Sequence, residues 1–305
     1  MQDSKIDILL ASYNGESFIS QQIESILGQS FADFRLIISD DGSTDSTWEI
    51  VTHYAELDSR IQLVDNIRKG GVINNFNCCM QHSKAEYIMF CDQDDFWPAG
   101  KVEEMLTSIK KINNYDGTQP LLCFSDLTVV NKDLDVLNPS FYAYLNLNPL
   151  YNTDYRYILW RSTVYGCTVI FNRVLLNRSM PLPENIPMHD HWLALNASHS
   201  GIIHYHNHST VLYRQHGGNV IGAVNKNKIN KVLNLIKAIK RIKKYSFEVK
   251  QMICHLSNRS GSNATDLEIN NIIQRIKFVK QNIVPFFSEK AIFTSLFIIF
   301  FVFNS

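Results

Sequence analysis

The chain has 305 residues, 45% of them hydrophobic, including 18 Phe and 13 Tyr. That composition supports a large core and excludes a disordered, collagen-like or low-complexity chain. The 29 basic and 29 acidic side chains cancel to zero net charge, but residues 1–222 carry 15 Lys/Arg against 25 Asp/Glu and residues 223–305 carry 14 against 4. An acidic body with a basic tail predicts two tasks, the tail's being attachment to something anionic.

From the N-terminus, Ile6–Ser12 reads as an apolar strand and Glu16–Leu27 as a helix with Ile19, Ile23, Ile26 and Leu27 at helical spacing. Phe34–Ser39 is a second strand, Thr44–Leu57 a helix, Ile61–Val64 a short strand and Val72–His82 a helix. Tyr87–Cys91 is a continuous apolar strand, followed by a helix at Lys101–Ile112 and a strand at Leu121–Phe124. This alternation predicts an α/β fold, a mostly parallel sheet flanked by helices. Beyond residue 130 the rhythm loosens. Leu137–Tyr157, rich in Asn, Pro and Tyr, reads as an irregular excursion over the active face. Val164–Phe171 reads as a strand, His189–Ser198 as a helix and Ile202–Tyr213 as a strand, with a loop over Arg214–Gly222.

The last quarter or so differs in kind. Lys226–Lys250 is basic, with Ile229, Val232, Leu233, Ile236, Ile239 and Ile242 at helical spacing. It predicts an amphipathic helix suited to an anionic lipid surface. Ala291–Phe303 is thirteen residues without a charge, too short to span a bilayer alone at about 20 residues per crossing. The expected organisation is therefore a catalytic domain at 1–222 and a helical, membrane-associating tail at 223–305. The six cysteines form no CxxC pair, and the apolar run Ile6–Ala11 is interrupted by Asp7 and too short for a signal peptide. Both features point to a cytoplasmic protein, and the basic tail predicts that it is peripheral at the inner face of the plasma membrane.

In a doubly wound sheet the ligand sits beyond the carboxyl ends of the strands. Those ends lead into Ser12-Tyr13-Asn14-Gly15, Asp40-Asp41-Gly42-Ser43-Thr44-Asp45 and Asp92-Gln93-Asp94-Asp95. Three carboxylates in four residues repel one another unless a cation is near, and hard oxygen donors suit Mg²⁺ or Mn²⁺. The DDGSTD segment alone is equally a turn and helix cap, with Ser43 or Thr44 as the capping residue. His204, His206 and His208 share one face of a strand, yet Tyr205 and Asn207 between them close no ligand set, so a surface His row is expected. There is no GxGxxG and no GxxxxGK[ST], so dinucleotide and P-loop readings lack their phosphate cradles.

Taken together, ILLASYNG at 8–15, DDGSTD at 40–45 and DQDDFW at 92–97 resemble the family 2 nucleotide-sugar glycosyltransferases. GCTVIFN at 166–172, HDHWLAL at 189–195 and YRQHGGNVIG at 213–222 resemble its rhamnosyltransferase-like branch. The resemblance implies a GT-A (Rossmann-like) fold and inverting transfer from a nucleoside-diphosphate sugar with a divalent cation, Mn²⁺ or Mg²⁺. It matches Ala11 and Tyr13 to positions lining the nucleotide base and Asp41 to the acceptor of the pyrimidine imide N–H. It matches Asp92 to a ribose and metal-water contact, Asp94 to the direct metal ligand and Asp190 to the catalytic base. Arg214 is expected on the diphosphate and His216 on the metal, within a loop made mobile by two glycines. Where many relatives carry Arg, this sequence has Phe76, with Arg68 or Lys69 as substitutes. The expected donor is deoxythymidine-diphosphate rhamnose or a uridine-diphosphate hexose. The expected acceptor is a growing surface glycan or lipid-linked oligosaccharide, and no nucleic-acid partner is expected. Two rival readings are a metal-dependent nucleotidyltransferase, which needs a Gly-rich basic loop after the first strand, and a non-catalytic glycan- or lipid-binding scaffold.

Overall fold

Ile6–Ser12 forms strand β1, buried along nearly its whole length as a parallel strand covered on both faces must be. It lies between β2 (Phe34–Asp40) and β4 (Tyr87–Asp92), both parallel to it, with β3 (Ile61–Val64) beyond β2. Side chains alternate between faces. Ile8 and Leu10 join Ile19, Ile23 and Ile26 of helix α1 (Ile19–Leu27), while Leu9 joins Phe76 and Met80 of α3 (Val72–His82) on the other face. Helices α2 (Thr47–Leu57) and α4 (Lys101–Lys110) complete the first half. The computed structural model describes residues 4–64, 70–112, 117–216, 231–260 and 267–303. Register fixes what matters for the site: Ser12 pairs with Asp40 and Ala11 with Asp92, so three acidic or polar strand ends stand side by side.

One charge lies inside this half. Asp7 is fully buried, which by itself disfavours its carboxylate. Arg35 forks onto it at 3.0 Å, and Ser83 Oγ and the Lys84 and Ala85 N–H groups donate to it. The donors win, holding the carboxyl below its usual range.

The second half departs from the parallel rhythm. The sheet has eight strands in the order β3-β2-β1-β4-β7-β5-β6, with β8 also paired to β5. Strand β5 runs Leu121–Val130, well past the expected end at Phe124, and β6 (Val136–Asn138) pairs antiparallel with its far end. The expected strand over 164–171 begins instead as a 3-10 turn at Gly166–Thr168, and only Val169–Asn172 is strand β7. β7 runs antiparallel between β4 and β5, and β8 (Ile202–Arg214) runs parallel along β5. The 137–157 excursion carries α5 (Phe141–Leu145), a 3-10 turn at Pro149–Thr153 and α6 (Tyr155–Ile158). Helix α7 (Arg173–Ser179) follows β7, and α8 (His189–Ser200) is buried on all sides from His191 to Ala197.

Helix α8 is enclosed because the tail covers it. Helix α9 (Lys231–Ser260) is followed by α10 (Ile272–Phe278), a π turn at Val279–Ile283, a 3-10 turn at Val284–Lys290 and α11 (Ala291–Phe303). Val249, Met252, Ile253, Phe297 and Phe301 share one core with Trp160, Trp192 and Phe171. Glu289 anchors the tail to the excursion, accepting from Tyr157 Oη at 2.7 Å and pairing with Arg161 at 3.3 Å. Arg259 lies over Trp192 at 5.0 Å and donates to the carbonyls of Arg178 and Pro181. The apolar run at 291–303 is the end of a longer helical stretch: Ile272–Phe303, 32 residues, is long and apolar enough by length and composition to cross a membrane. Phe297 and Phe301 are nevertheless fully buried, while Ile273 and Ile292 are about 80% exposed, at 80% and 81%. Lys226 and Lys228 lie outside the described residues.

Candidate active site

The turn after β1 is tied to its neighbours by backbone and side-chain hydrogen bonds. Tyr13 N–H donates to Gln93 Oε1 at 2.9 Å and Gln93 Nε2 donates back to Tyr13 O at 3.0 Å. A Cβ on Gly15 would meet Gln93 Oε1 at 2.3 Å, so this clamp requires glycine there. Asn14 takes a left-handed conformation (φ 48°), accepts from Thr44 N–H and donates its own N–H to Ser43 Oγ. Tyr13 itself is 42% exposed, an aromatic face open toward solvent.

In the turn after β2, Asp40 accepts from Ser12 Oγ, Ser43 N–H and Ser43 Oγ, and Asp45 accepts from Thr47 N–H and Oγ1 and from Glu16 N–H. Neither Ser43 nor Thr44 caps α2: the cap position is Ser46, whose side chain makes no capping bond, and Asp45 just before it accepts from Thr47 N–H. Asp41 accepts from Gly70 N–H (3.3 Å) and Gly71 N–H (2.9 Å), both glycines having positive φ. A carboxylate has about four lone-pair sites, so it keeps capacity for a further donor.

The turn after β4 is more sparsely served, Asp95 receiving the Arg214 N–H at 3.4 Å. Asp95 is fully buried, and one of its carboxylate oxygens lies within 4.8 Å of a carboxylate oxygen of Asp92 and of Cys167 Sγ. Burial, with Asp94 and Asp190 close by, pushes Asp92 up to about 7, and burial beside Asp92 and Asp94 pushes Asp95 well above the carboxylate range. The compensating cation is Lys101, 1% exposed, which donates to Cys167 O at 2.5 Å and stands 4.0 Å over the Trp97 ring. Burial lowers its pKa to about 8.

Asp190 stands in the first turn of α8, where the helix dipole favours an anion. Its carboxylate accepts from Gly166 N–H at 3.0 Å and His191 N–H at 2.6 Å, yet burial outweighs these donors and raises its pKa to about 6. A general base is most effective with a pKa near the working pH. Gly166 is constrained by this approach: a Cβ there would sit 3.3 Å from His189 Nε2 and 3.6 Å from Asp190 Oδ2.

Ala11, Tyr13, Asp41, Asp92, Asp94 and Asp190 line one cavity of about 550 Å³. Arg214 and His216 do not line it. His216 Nε2 lies 2.8 Å from Asp94 Oδ2 and packs on Phe18 at 4.7 Å, so an oxygen and a nitrogen ligand converge at the edge of the acidic turn. The donor chemistry fits a divalent cation: a turn of crowded carboxylates, with Asp92 and Asp95 raised first by burial and then by their charged neighbours, joined by an imidazole. Arg214, expected on the diphosphate, is 1% exposed. Its guanidinium donates to Asp94 O at 3.0 Å, to Lys132 O and to Gln21 Oε1, and lies 4.8 Å over Phe18. It braces the backbone of the acidic turn from behind. Gly217 and Gly218 of the expected loop, and Arg68 and Lys69, lie outside the described residues.

Phe76, in place of the expected arginine, packs on Phe90 at 5.0 Å and on His189 at 4.3 Å. His189 lines the cavity, is 3% exposed, and neither ring nitrogen has a partner among the described residues. Burial lowers its pKa to about 3, so it stands neutral with one donor and one acceptor to offer. The sequence shows His189 beside Asp190, but only the fold shows that its nitrogens are unsatisfied. Lys101 was likewise legible only as a helix residue.

The chain matches the glycosyl transferase family 2 profile over residues 7–174, and it belongs to that family. It is 32% identical over 178 residues to an Escherichia coli protein described as UDP-Glc:alpha-D-GlcNAc-diphosphoundecaprenol beta-1,3-glucosyltransferase WfgD, a match covering 58% of this chain and 64% of that one. It spans less than two thirds of that relative's length. It is 28% identical over 228 residues to the dTDP-rhamnosyl transferase RfbG of Shigella flexneri, covering 70% and 74%. In three dimensions it is similar to S. aureus TarS 1-349 in complex with UDP-GlcNAc (TM-score 0.57, 16% identity, 97% and 90% covered). It is also similar to the mannosyltransferase PcManGT of Pyrobaculum calidifontis in complex with GDP-Man and Mn²⁺ (TM-score 0.53, 19% identity, 80% and 63% covered). The fold is that of the GT-A glycosyltransferases.

Proposed function

We propose that this chain transfers a sugar from a pyrimidine nucleoside diphosphate to a hydroxyl of a lipid-linked or polysaccharide acceptor, with inversion at the anomeric carbon. The observation that carries the proposal is the single cavity in which Asp41, Asp92 and Asp94 face Asp190. Tyr13 offers a stacking face for the base, and Asp41, already fixed by two glycine N–H groups, accepts from the imide N–H. Asp92, Asp94 and His216 would hold Mn²⁺ or Mg²⁺, which when bound offsets charge on the leaving diphosphate. Asp190 takes the proton of the acceptor hydroxyl as that oxygen bonds to the anomeric carbon, and the bond to the diphosphate oxygen breaks on the opposite face. Arg214 and Lys101 position the acidic turn. The named activities of the Escherichia coli and Shigella relatives support a uridine-diphosphate hexose or deoxythymidine-diphosphate rhamnose donor.

A donor panel tests this reading. One nucleoside-diphosphate sugar is expected to give metal-dependent release of free nucleoside diphosphate, and Asp94→Ala or a chelator is expected to abolish it. Asp190→Asn should keep donor binding while transfer falls by about 10²–10⁴-fold. Undiminished release from Asp94→Ala, or lost donor binding in Asp190→Asn, removes the respective assignment.

For localisation, the reading is a catalytic domain at 1–222 and a tail at 223–305 that holds the protein at the cytoplasmic face of an anionic membrane. Basic α9 and the exposed apolar positions of the last helices support it. Truncation is a poor test, because fully burying a side chain such as Phe297 or Phe301 contributes about 1.5–3 kcal/mol each to the shared core. The better test is Ile273→Ser with Ile292→Ser, both highly exposed. The pair should lower sedimentation with anionic vesicles and leave Tm unchanged. Vesicle binding equal to wild type counts against the tail as the attachment surface.

A further inference from the structure

The histidine row of β8 is not a simple surface feature. Helix α4 brings Glu104 to it, and His206 Nε2 and His208 Nδ1 converge on the same carboxylate oxygen, Glu104 Oε1, at 2.7 Å and 2.6 Å. All three ligand atoms lie within 4.8 Å of one another. We propose that Glu104, His206 and His208 form a second metal site, one that takes Zn²⁺ through two imidazoles and a carboxylate and clips helix α4 to strand β8.

The local fold is built for this convergence. Pairing between β5 and β8 runs Ser125 to His206 and then Asp126 to Ser209, so the ladder slips at Asn207 and His208. A bulge of this kind re-aims a side chain. On α4, Glu104 and Ser108 are one turn apart and face the same imidazole: Ser108 Oγ is 3.3 Å from His206 Nδ1. With the proton of His206 on Nδ1 and directed at Ser108, Nε2 presents its lone pair to the ion. Metal-bound histidines characteristically use their second nitrogen in this way. A tetrahedral zinc site with bonds of roughly 2.1 Å has ligand atoms about 3.4 Å apart, so each nitrogen–oxygen pair opens by less than about 1 Å to admit the ion. His208 is the most exposed of the three, with 65% of its side chain accessible, which leaves a fourth position for water. The donor set also separates this site from the cavity rim. Two nitrogens and one oxygen suit Zn²⁺, whereas the three-carboxylate turn suits Mg²⁺ or Mn²⁺. Because β8 continues into Arg214, which braces Asp94, an ion here would stiffen the strand that supports the rim.

The test uses the full chain in an Asp94→Ala background, which removes the direct ligand at the rim. After chelator treatment and dialysis against Zn²⁺ in millimolar Mg²⁺, this protein should retain one zinc and show a higher Tm than its metal-free form. Co²⁺ in place of Zn²⁺ should give the visible absorption of a four-coordinate nitrogen–oxygen site. Adding His206→Ala and His208→Ala should weaken zinc binding at least 100-fold and abolish the Co²⁺ spectrum. Glu104→Gln, which keeps side-chain size, should weaken binding while leaving the metal-free Tm near its starting value. Zinc stoichiometry unaffected by the histidine substitutions, or no retained zinc in the Asp94→Ala protein, overturns the proposal.

Discussion

Two acidic turns flank the end of β1 at the rim of the sheet, built from the same residue type and treated in opposite ways. After β2, Asp40, Asp41 and Asp45 each receive two or three donors from backbone N–H groups and hydroxyls. For Asp45 those donors outweigh the cost of burial and hold its carboxyl below the usual range. After β4, Asp92 and Asp95 are desolvated beside other carboxylates, and their pKa values rise. The difference teaches that an acidic motif can be completed by its own fold or left to be completed by a ligand. Only the second kind is a candidate for chemistry.

The largest test of that contrast is Lys101→Met. Lys101 is the buried cation of the unsatisfied turn, and removing one partner of a buried charge cluster costs about 3–5 kcal/mol. A concurrent Asp95→Asn should recover a substantial part of the lost stability in denaturant unfolding, because it removes a charge that Lys101 compensates. If the two losses simply add, Lys101 is not the compensating charge.

The next test concerns pH and Asp190. Its folded pKa of about 6 lies above the ordinary 3.8, so ionising it disfavours the folded state. That penalty is absent below the unfolded value, grows between pH 4 and 6, and is complete above pH 6. Asp190→Asn should therefore be roughly 2–3 kcal/mol more stable than wild type at pH 8, with the gap closing toward pH 4. Wild-type transfer should rise through pH 6 as the base ionises. A pH-independent stability gap would show that the carboxylate is not the strained group.

A smaller effect separates the two turns directly. Asp40→Ala strips the partner of Ser12 and Ser43 and should cost roughly 2 kcal/mol in stability. Asp94→Ala, which loses transfer, should leave Tm unchanged or raised. Equal destabilisation by the two would erase the distinction.

Much of the first half was legible from residues. The strands Ile6–Ser12 and Ile61–Val64 and the helix Val72–His82 have the ends that their apolar patterns indicate. Strand β5 was cut short because Ser125 and Asp126 interrupt its apolar run. In the fold, Asp126 is satisfied by Phe141 N–H and Ser140 Oγ from the distant excursion, and no local pattern announces those donors. Five expected site residues, Ala11, Tyr13, Asp41, Asp92 and Asp94, meet in one cavity because parallel register aligns strand ends, a property that motif spacing carries, and Asp190 joins them from helix α8. The burial of Arg214 was hidden because two of its partners are main-chain carbonyls, which leave no trace in residue identity. Glu104 was hidden for the opposite reason. It is an ordinary helix-surface residue until β8, about a hundred positions later, folds beside it.

Helix α8 has no solvent-facing side between His191 and Ala197: the sheet holds one flank and the tail the other, with Trp192 beneath Arg259. Asp190 rides on its first turn. A helix so enclosed cannot tilt without disturbing the tail packed against it. It also means that α8 and the tail can drift in sequence only as a matched set. Grafting this tail onto another member of the family, or another tail onto this body, would disturb the packing of the helix that carries Asp190.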